Sequence, residues 1–191
     1  MKMKVQKPEG QDNQNCLVET GWTIRSGVLE LLEPFFTPLR YDSNDGSLWG
    51  DGRGKTWSVP SFRTFRGLPK QTAHDLLRIT PAKYLEDHQN CAPSLRDLLK
   101  SCVNSSWSVE LCGYYVGPYR ADERFSIDSM VVYPNRELKE LEPELHRCPL
   151  TERWEIIAEE LGLPFDGHEP DEIEPIIPPW KLEHGWWIWW D

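Results

Sequence analysis

Apolar residues recur along this chain in two rhythms. Leu95, Leu98, Leu99 and Cys102 follow the i, i+3, i+4, i+7 spacing that puts four side chains on one face of a helix, which predicts a helix from about Pro93 to Val103. Trp154, Ile157, Ala158 and Leu161 repeat that pattern in a helix starting near Thr151, with Gly162 as its stop. Ala73, Leu76 and Leu77 form a third stripe, in a helix whose first turn holds Pro69 and which runs through Ile79; Thr80 as N-cap and Pro81 at the first helical position predict a short fourth one. The other rhythm is that of strands. Trp107 to Val116 and Phe125 to Tyr133 are rich in aromatic and β-branched residues and flank the loop Gly117 to Arg124, which predicts a central β-hairpin over about 107–133.

The ends of the chain read differently. Met1 to Asn15 has almost no apolar residue and is expected to be a flexible polar tail. Leu17 to Ile24, Val28 to Leu32 and Phe35 to Tyr41 are short apolar runs broken by Gly27, Pro34 and Pro38, so residues 16 to 65 read as strands and loops. Pro143 interrupts a charged helix beginning at Asn135. After residue 163 five prolines and the run Trp186-Trp187-Ile188-Trp189-Trp190 predict a Pro/Trp-rich extended segment, 164–191, packing on a core domain of residues 16–163. The expected architecture is α+β: a single domain with a mixed or antiparallel sheet, the central hairpin and several short helices.

Composition places this pattern in a folded chain, since 39% of the 191 residues are apolar, 12% are aromatic and ten are tryptophan. No run approaches the roughly 20 apolar residues of a membrane helix, and the first residues lack the apolar stretch of a signal peptide, so a cytoplasmic location and no membrane partner are expected. The odd number of dispersed cysteines, Cys16, Cys91, Cys102, Cys112 and Cys148, reads as reduced thiols. The net charge of -10 is unevenly spread: residues 1 to 80 hold 11 basic against 9 acidic side chains, and residues 137 to 191 hold 4 against 15. The C-terminal part would repel a phosphate backbone, which disfavours direct nucleic-acid binding there.

Candidate chemistry is sparse. Gly50-Asp51-Gly52-Arg53-Gly54-Lys55-Thr56 resembles a phosphate-binding loop, but Trp49 stands where that motif requires glycine and Pro60 would break the helix that must follow. Arg53, Lys55, Arg63, Arg66, Lys70 and Arg78 interleave with Trp57, Phe62 and Phe65, a strip that could stack bases or pair with the molecule's own acidic half; charge complementarity favours the second. His88 and Cys91, with His146 and Cys148, could supply four zinc ligands, but without tighter paired spacing neither a metal nor another cofactor is expected. Arg120, Asp122, Glu123 and Arg124 crowd the hairpin loop beside Tyr114, Tyr115 and Tyr119, and are the residues an enzyme would use here; local ion pairing is the plainer role. Glu110 and Asp128 lie in the strands below. No nucleophile elbow or activated cysteine setting is present in the sequence. The tryptophan run is expected to cap the core or, alternatively, to anchor a partner.

These features favour a binding or inhibitor protein over a catalyst. Its acidic residues, Glu137 to Glu174, would present carboxylates where phosphates lie on nucleic acid, and so occupy a basic surface on a protein partner, as an immunity-like or mobile-element accessory protein would. Glu155, Glu159, Glu160, Asp171, Glu172, Trp186 and Trp187 are the expected contact residues. The alternatives are a small enzyme acting on a nucleotide or nucleic acid through the Arg120 to Arg124 loop, and a structural subunit docked through its tryptophan tail.

Overall fold

The computed structural model describes residues 20–38, 62–118, 120–134 and 150–191. The polar tail, the glycine-rich loop 50–56, the charged stretch from Asn135 through Pro143, and Cys16, Arg53, Lys55, Tyr119, His146 and Cys148 lie outside them.

The scaffold is a five-stranded antiparallel sheet of order β1-β2-β3-β5-β4, built from β1 (Phe62–Leu68), β2 (Ser108–Val116), β3 (Arg124–Tyr133), β4 (Glu172–Ile176) and β5 (Gly185–Trp189). The helices are α1 (Trp22–Arg25), α2 (Val28–Leu32), α3 (Lys70–Ile79), α4 (Ala82–Leu85), α5 (Leu95–Asn104) and α6 (Leu150–Leu161). With a helical group and an antiparallel sheet in one chain, the fold is α+β.

Strand alternation sorts the sheet into two faces. Val109, Leu111 and Tyr115 on β2 stand opposite Val132, Met130 and Phe125 on β3, and Trp186 and Ile188 on β5 continue the same rows; all are buried in the main core. Against this inner face lies α5, whose Leu95, Leu98, Leu99 and Cys102 are buried as their spacing requires, with α3 and α6 beside it. Ser94 starts α5 by accepting from the Asp97 amide at 3.2 Å, while its own hydroxyl donates to the Asp97 carboxylate at 2.7 Å. On α6 Trp154, Ile157, Ala158 and Leu161 are all buried, and Gly162 follows at φ 65°. Fully burying one such large side chain stabilises the fold by about 2–3 kcal/mol.

Two bulges flank Cys112. Between Phe65 and Leu68 strand β1 carries Arg66 and Gly67 opposite Cys112, and on the other side β3 inserts Asp128 between Ile127 and Ser129. Each extra residue resets the alternation so that Phe65 and Leu68, and Ile127 and Met130, all point into the core. Gly113 sits at the same level, where a Cβ would lie 1.9 Å from the Ser126 carbonyl oxygen, so only glycine fits.

The amino-terminal runs differ from expectation. Trp22–Arg25 and Val28–Leu32 are helical turns, not strands. Short apolar runs cannot be assigned by periodicity alone, and here Gly21 (φ 79°) and Gly27 (φ 82°) turn the chain into each helix. Among the described residues of these runs only Phe36 is strand-like, as an isolated bridge to Phe65. In the carboxyl-terminal segment, residues 172–189 supply β4 and β5, and Ile173, Trp186 and Ile188 join the core.

Candidate functional site

The loop between β2 and β3 is where acid–base chemistry was most expected, and it is engaged in holding the fold together. Glu123 is 6% exposed and turned inward. Its carboxylate accepts from the amides of Gly21, Trp22 (3.2 Å) and Thr23 (2.8 Å) and from the Thr23 hydroxyl (2.6 Å), and its backbone carbonyl accepts from the Trp22 indole at 3.0 Å. The side chain therefore caps α1 from a hundred residues away, satisfying amides that a four-residue helix leaves without partners. Trp22, so held, stacks on Tyr84 with centroids 3.9 Å apart.

The remaining loop charges pair with one another. Arg120 makes a two-pronged pair with Asp122 at 2.7 and 2.8 Å, and Arg124 reaches Asp122 at 3.6 Å. The Arg120 hydrogen bond holds the Asp122 carboxyl down at about 2. Arg124 also donates to the Tyr114 hydroxyl, which in turn donates to Gln89. Tyr115 is buried, its hydroxyl 3.0 Å from that of Thr23. The four residues are thus brought together, but as a corner whose most sheltered carboxylate faces away from solvent.

Other candidates are dispersed. The His88 ring bonds the Asn90 carbonyl oxygen at 2.7 Å, the Cys91 carbonyl oxygen meets His168 at 2.9 Å, and no group of three or more potential metal ligands occurs among the described residues. Cys102 and Cys112 are buried and free, and burial pushes both thiols up to about 12. Within the basic strip, Arg78 meets Asp75 at 3.7 Å on its own helix, and Arg63 lies 4.1 Å over the Phe36 ring.

The acidic residues are displayed. Glu152, Glu155, Glu159 and Glu160 are exposed on α6, which packs against β4, and β4 is an edge strand carrying exposed Glu172 and Glu174, with exposed Asp171 just before it. From residue 150 to the end the described chain holds eleven acidic side chains but only Arg153 and Lys181 as fixed cations. Lys181 is committed to Glu110 and Glu183, at 3.5 and 3.2 Å, and Asp171 accepts from the Asp191 amide at 2.8 Å. Glu155, Glu159, Glu160, Glu172 and Glu174 form no ion pair with another described residue.

Alternation divides the tryptophans. Trp186 and Trp190 are buried, and Trp190 meets Trp154 edge-on at 5.5 Å. Trp186 therefore belongs to the core and is not available to a partner. Trp187 and Trp189 point to the outer face and are half-buried, Trp187 opposite Glu174 and Trp189 opposite Glu172.

Sequence reasoning missed the connection between β4 and β5, residues 177–184, which folds back over that outer face. Trp180 donates to Glu110 on β2 at 2.8 Å and lies against Gly67 of β1, and Lys181 sits 3.6 Å above the Tyr133 ring of β3. Glu110 also accepts from the Tyr133 hydroxyl at 2.8 Å; burial and this carboxylate raise the Tyr133 hydroxyl above its ordinary value. Beside this connection, a strap across the sheet, is a pocket of about 220 Å³ lined by Arg66, Glu174, Pro175, Ile176, Pro179, Trp180 and Trp187. Its only sequence signal was the density of proline and tryptophan, which does not reveal where the strap crosses.

Comparison with protein-family models, curated proteins and solved structures finds no match to this chain. No helix among the described residues is long and apolar enough to cross a membrane.

Proposed function

We propose that this protein acts by binding, with the acidic surface of α6 and the β4 edge occupying a basic, nucleic-acid-binding surface on a protein partner. The observation that carries this reading is the row of exposed carboxylates, Glu155, Glu159, Glu160, Glu172 and Glu174, without ion-pair partners among the described residues. Carboxylates kept apart from cations retain their field, which steers a basic partner and excludes acidic ones. The edge strand suits this role, because Glu172, Glu174 and Pro175 discourage strand addition and leave side-chain electrostatics as the means of contact. An immunity-like protein or a mobile-element accessory protein that shields a nuclease or defence enzyme is the concrete form of the reading.

The test is a competition experiment in native lysate. Full-length protein should retain a basic protein that is released by moderate salt and displaced by duplex DNA. Changing Glu155, Glu159, Glu160, Glu172 and Glu174 to glutamine should weaken that capture by more than about tenfold, since each lost charge contact contributes up to about 1 kcal/mol. Capture unchanged in affinity and in salt dependence would overturn the reading.

A further inference from the structure

The pocket beside the strap has the chemistry of a site for a planar cation. One wall is fixed: the Trp180 indole is tethered through its nitrogen to Glu110, and its ring packs so closely on β1 that a Cβ at Gly67 would lie 2.8 Å from it. The other wall is Trp187, set by its cross-strand position between Val131 and Glu174. Glu174 is exposed, forms no ion pair with a described residue, and lines the same hollow. The volume, about 220 Å³, is below the roughly 300–1,000 Å³ of a pocket for a whole small-molecule ligand and suits one inserted side chain.

Two charged side chains line this hollow, and their surroundings decide the sign of the guest. Arg66 and Asp128 stand in the two bulges that flank Cys112, and there the Arg66 charge opposes the rise that burial gives the Asp128 carboxyl. Arg66 is thus partly compensated from within the fold, whereas Glu174 adjoins exposed Glu172 on the same strand. The site favours a cation over a phosphate, and aromatic walls beside a carboxylate favour a guanidinium, which stacks on indole rings while its edge hydrogen-bonds an acid.

We propose that this pocket receives an arginine side chain from the protein partner, stacked on Trp187 and Trp180 and paired with Glu174. The origin of the arginine rests on the acidic-surface reading above; the pocket's preference for a guanidinium stands on its own residues. Arginine and tryptophan are the side chains that most often dominate protein interfaces, so the pocket would supply the anchored contact and the acidic helix the steering.

The experiment uses the ¹⁵N-labelled full chain and follows the indole N–H resonances of Trp180 and Trp187, assigned with Trp180→Phe and Trp187→Phe. Blocked Gly-Arg-Gly should shift both resonances with weak affinity, about millimolar, and the isosteric citrulline peptide should bind at least about threefold more weakly, as should the arginine peptide to E174Q. W187L should weaken binding further; if that variant fails to fold, the citrulline and E174Q comparisons still decide. Equal binding of citrulline and arginine, no effect of E174Q, no shift with any peptide, or tighter binding of guanosine monophosphate at the same resonances would each overturn the proposal. Glutamine at Glu155, Glu159 and Glu160 together should leave peptide binding unchanged whatever it does to partner capture, so failure of the acidic-surface reading and failure of the pocket reading give different results.

Discussion

Replacing Glu123 tests whether one side chain joins the amino-terminal helices to the sheet. In Glu123→Ala the amides of Gly21, Trp22 and Thr23 and the Thr23 hydroxyl lose their acceptor, and Trp22 and Thr23 are buried where water cannot substitute. A single hydrogen bond to a charged group contributes about 1.5–3 kcal/mol and loss of a helix cap about 1 kcal/mol, but these bonds share one carboxylate and do not add fully. The expected loss is about 3 kcal/mol, which for a domain of this size lowers the melting temperature by roughly 6–12 °C. Glu123→Gln keeps the volume and one acceptor oxygen but turns an amide group toward the remaining donors, so it should fall between alanine and wild type. Urea unfolding followed by far-ultraviolet circular dichroism gives the free energy. Amide hydrogen exchange should show residues 21–32 opening first, since α1 and α2 hold the fold through this cap and the buried Trp22, Val28 and Leu32. A stability within about 0.5 kcal/mol of wild type for Glu123→Ala would refute the reasoning.

Further expectations follow from the same geometry. Gly67→Ala puts a Cβ against the Trp180 ring at a residue with φ 71°, and should cost about 1–3 kcal/mol; the cost should shrink in a Trp180→Ala background, which calorimetry of the double-mutant cycle would show. Trp154→Ala removes a fully buried indole that meets Trp190, and should cost about 3–5 kcal/mol in denaturant unfolding. Among the described cysteines, exposed Cys91 should react with iodoacetamide at pH 8 while Cys102 and Cys112 stay unmodified, as peptide mass mapping would reveal. Those two thiols are raised from the ordinary 9.0 to about 12, so the folded state resists ionisation longer than the unfolded chain; their contribution is complete below pH 9 and lost as pH rises toward 12, and thermal melts across that window should show falling stability. Arg120→Ala should let the Asp122 carboxyl return from about 2 toward its ordinary 3.8, read by NMR titration.

The sequence by itself determined the elements whose information is local. The helix spacing of Leu95 to Cys102 and of Trp154 to Leu161 named the faces that are buried, and the aromatic and β-branched runs on either side of Gly117 to Arg124 named the hairpin, because a one-sided core imposes its period on any element packed against it. The excess of acid near the carboxyl terminus is likewise composition, legible before any fold.

Tertiary structure decided what depends on distant partners. Trp22–Arg25 is a helix because Glu123 caps it from a hundred residues away, a contact no local window contains. Prolines and tryptophans near the end could not reveal that residues 172–189 complete the sheet, nor that alternation sends Trp186 inward and Trp187 outward, because a one-residue change of register would reverse them. The pocket is the furthest from the sequence: Arg66, Glu174, Trp180 and Trp187 meet only because the strap crosses the outer face from β4 to β1, and the absence of a Cβ at Gly67 leaves room for the indole that ends the crossing.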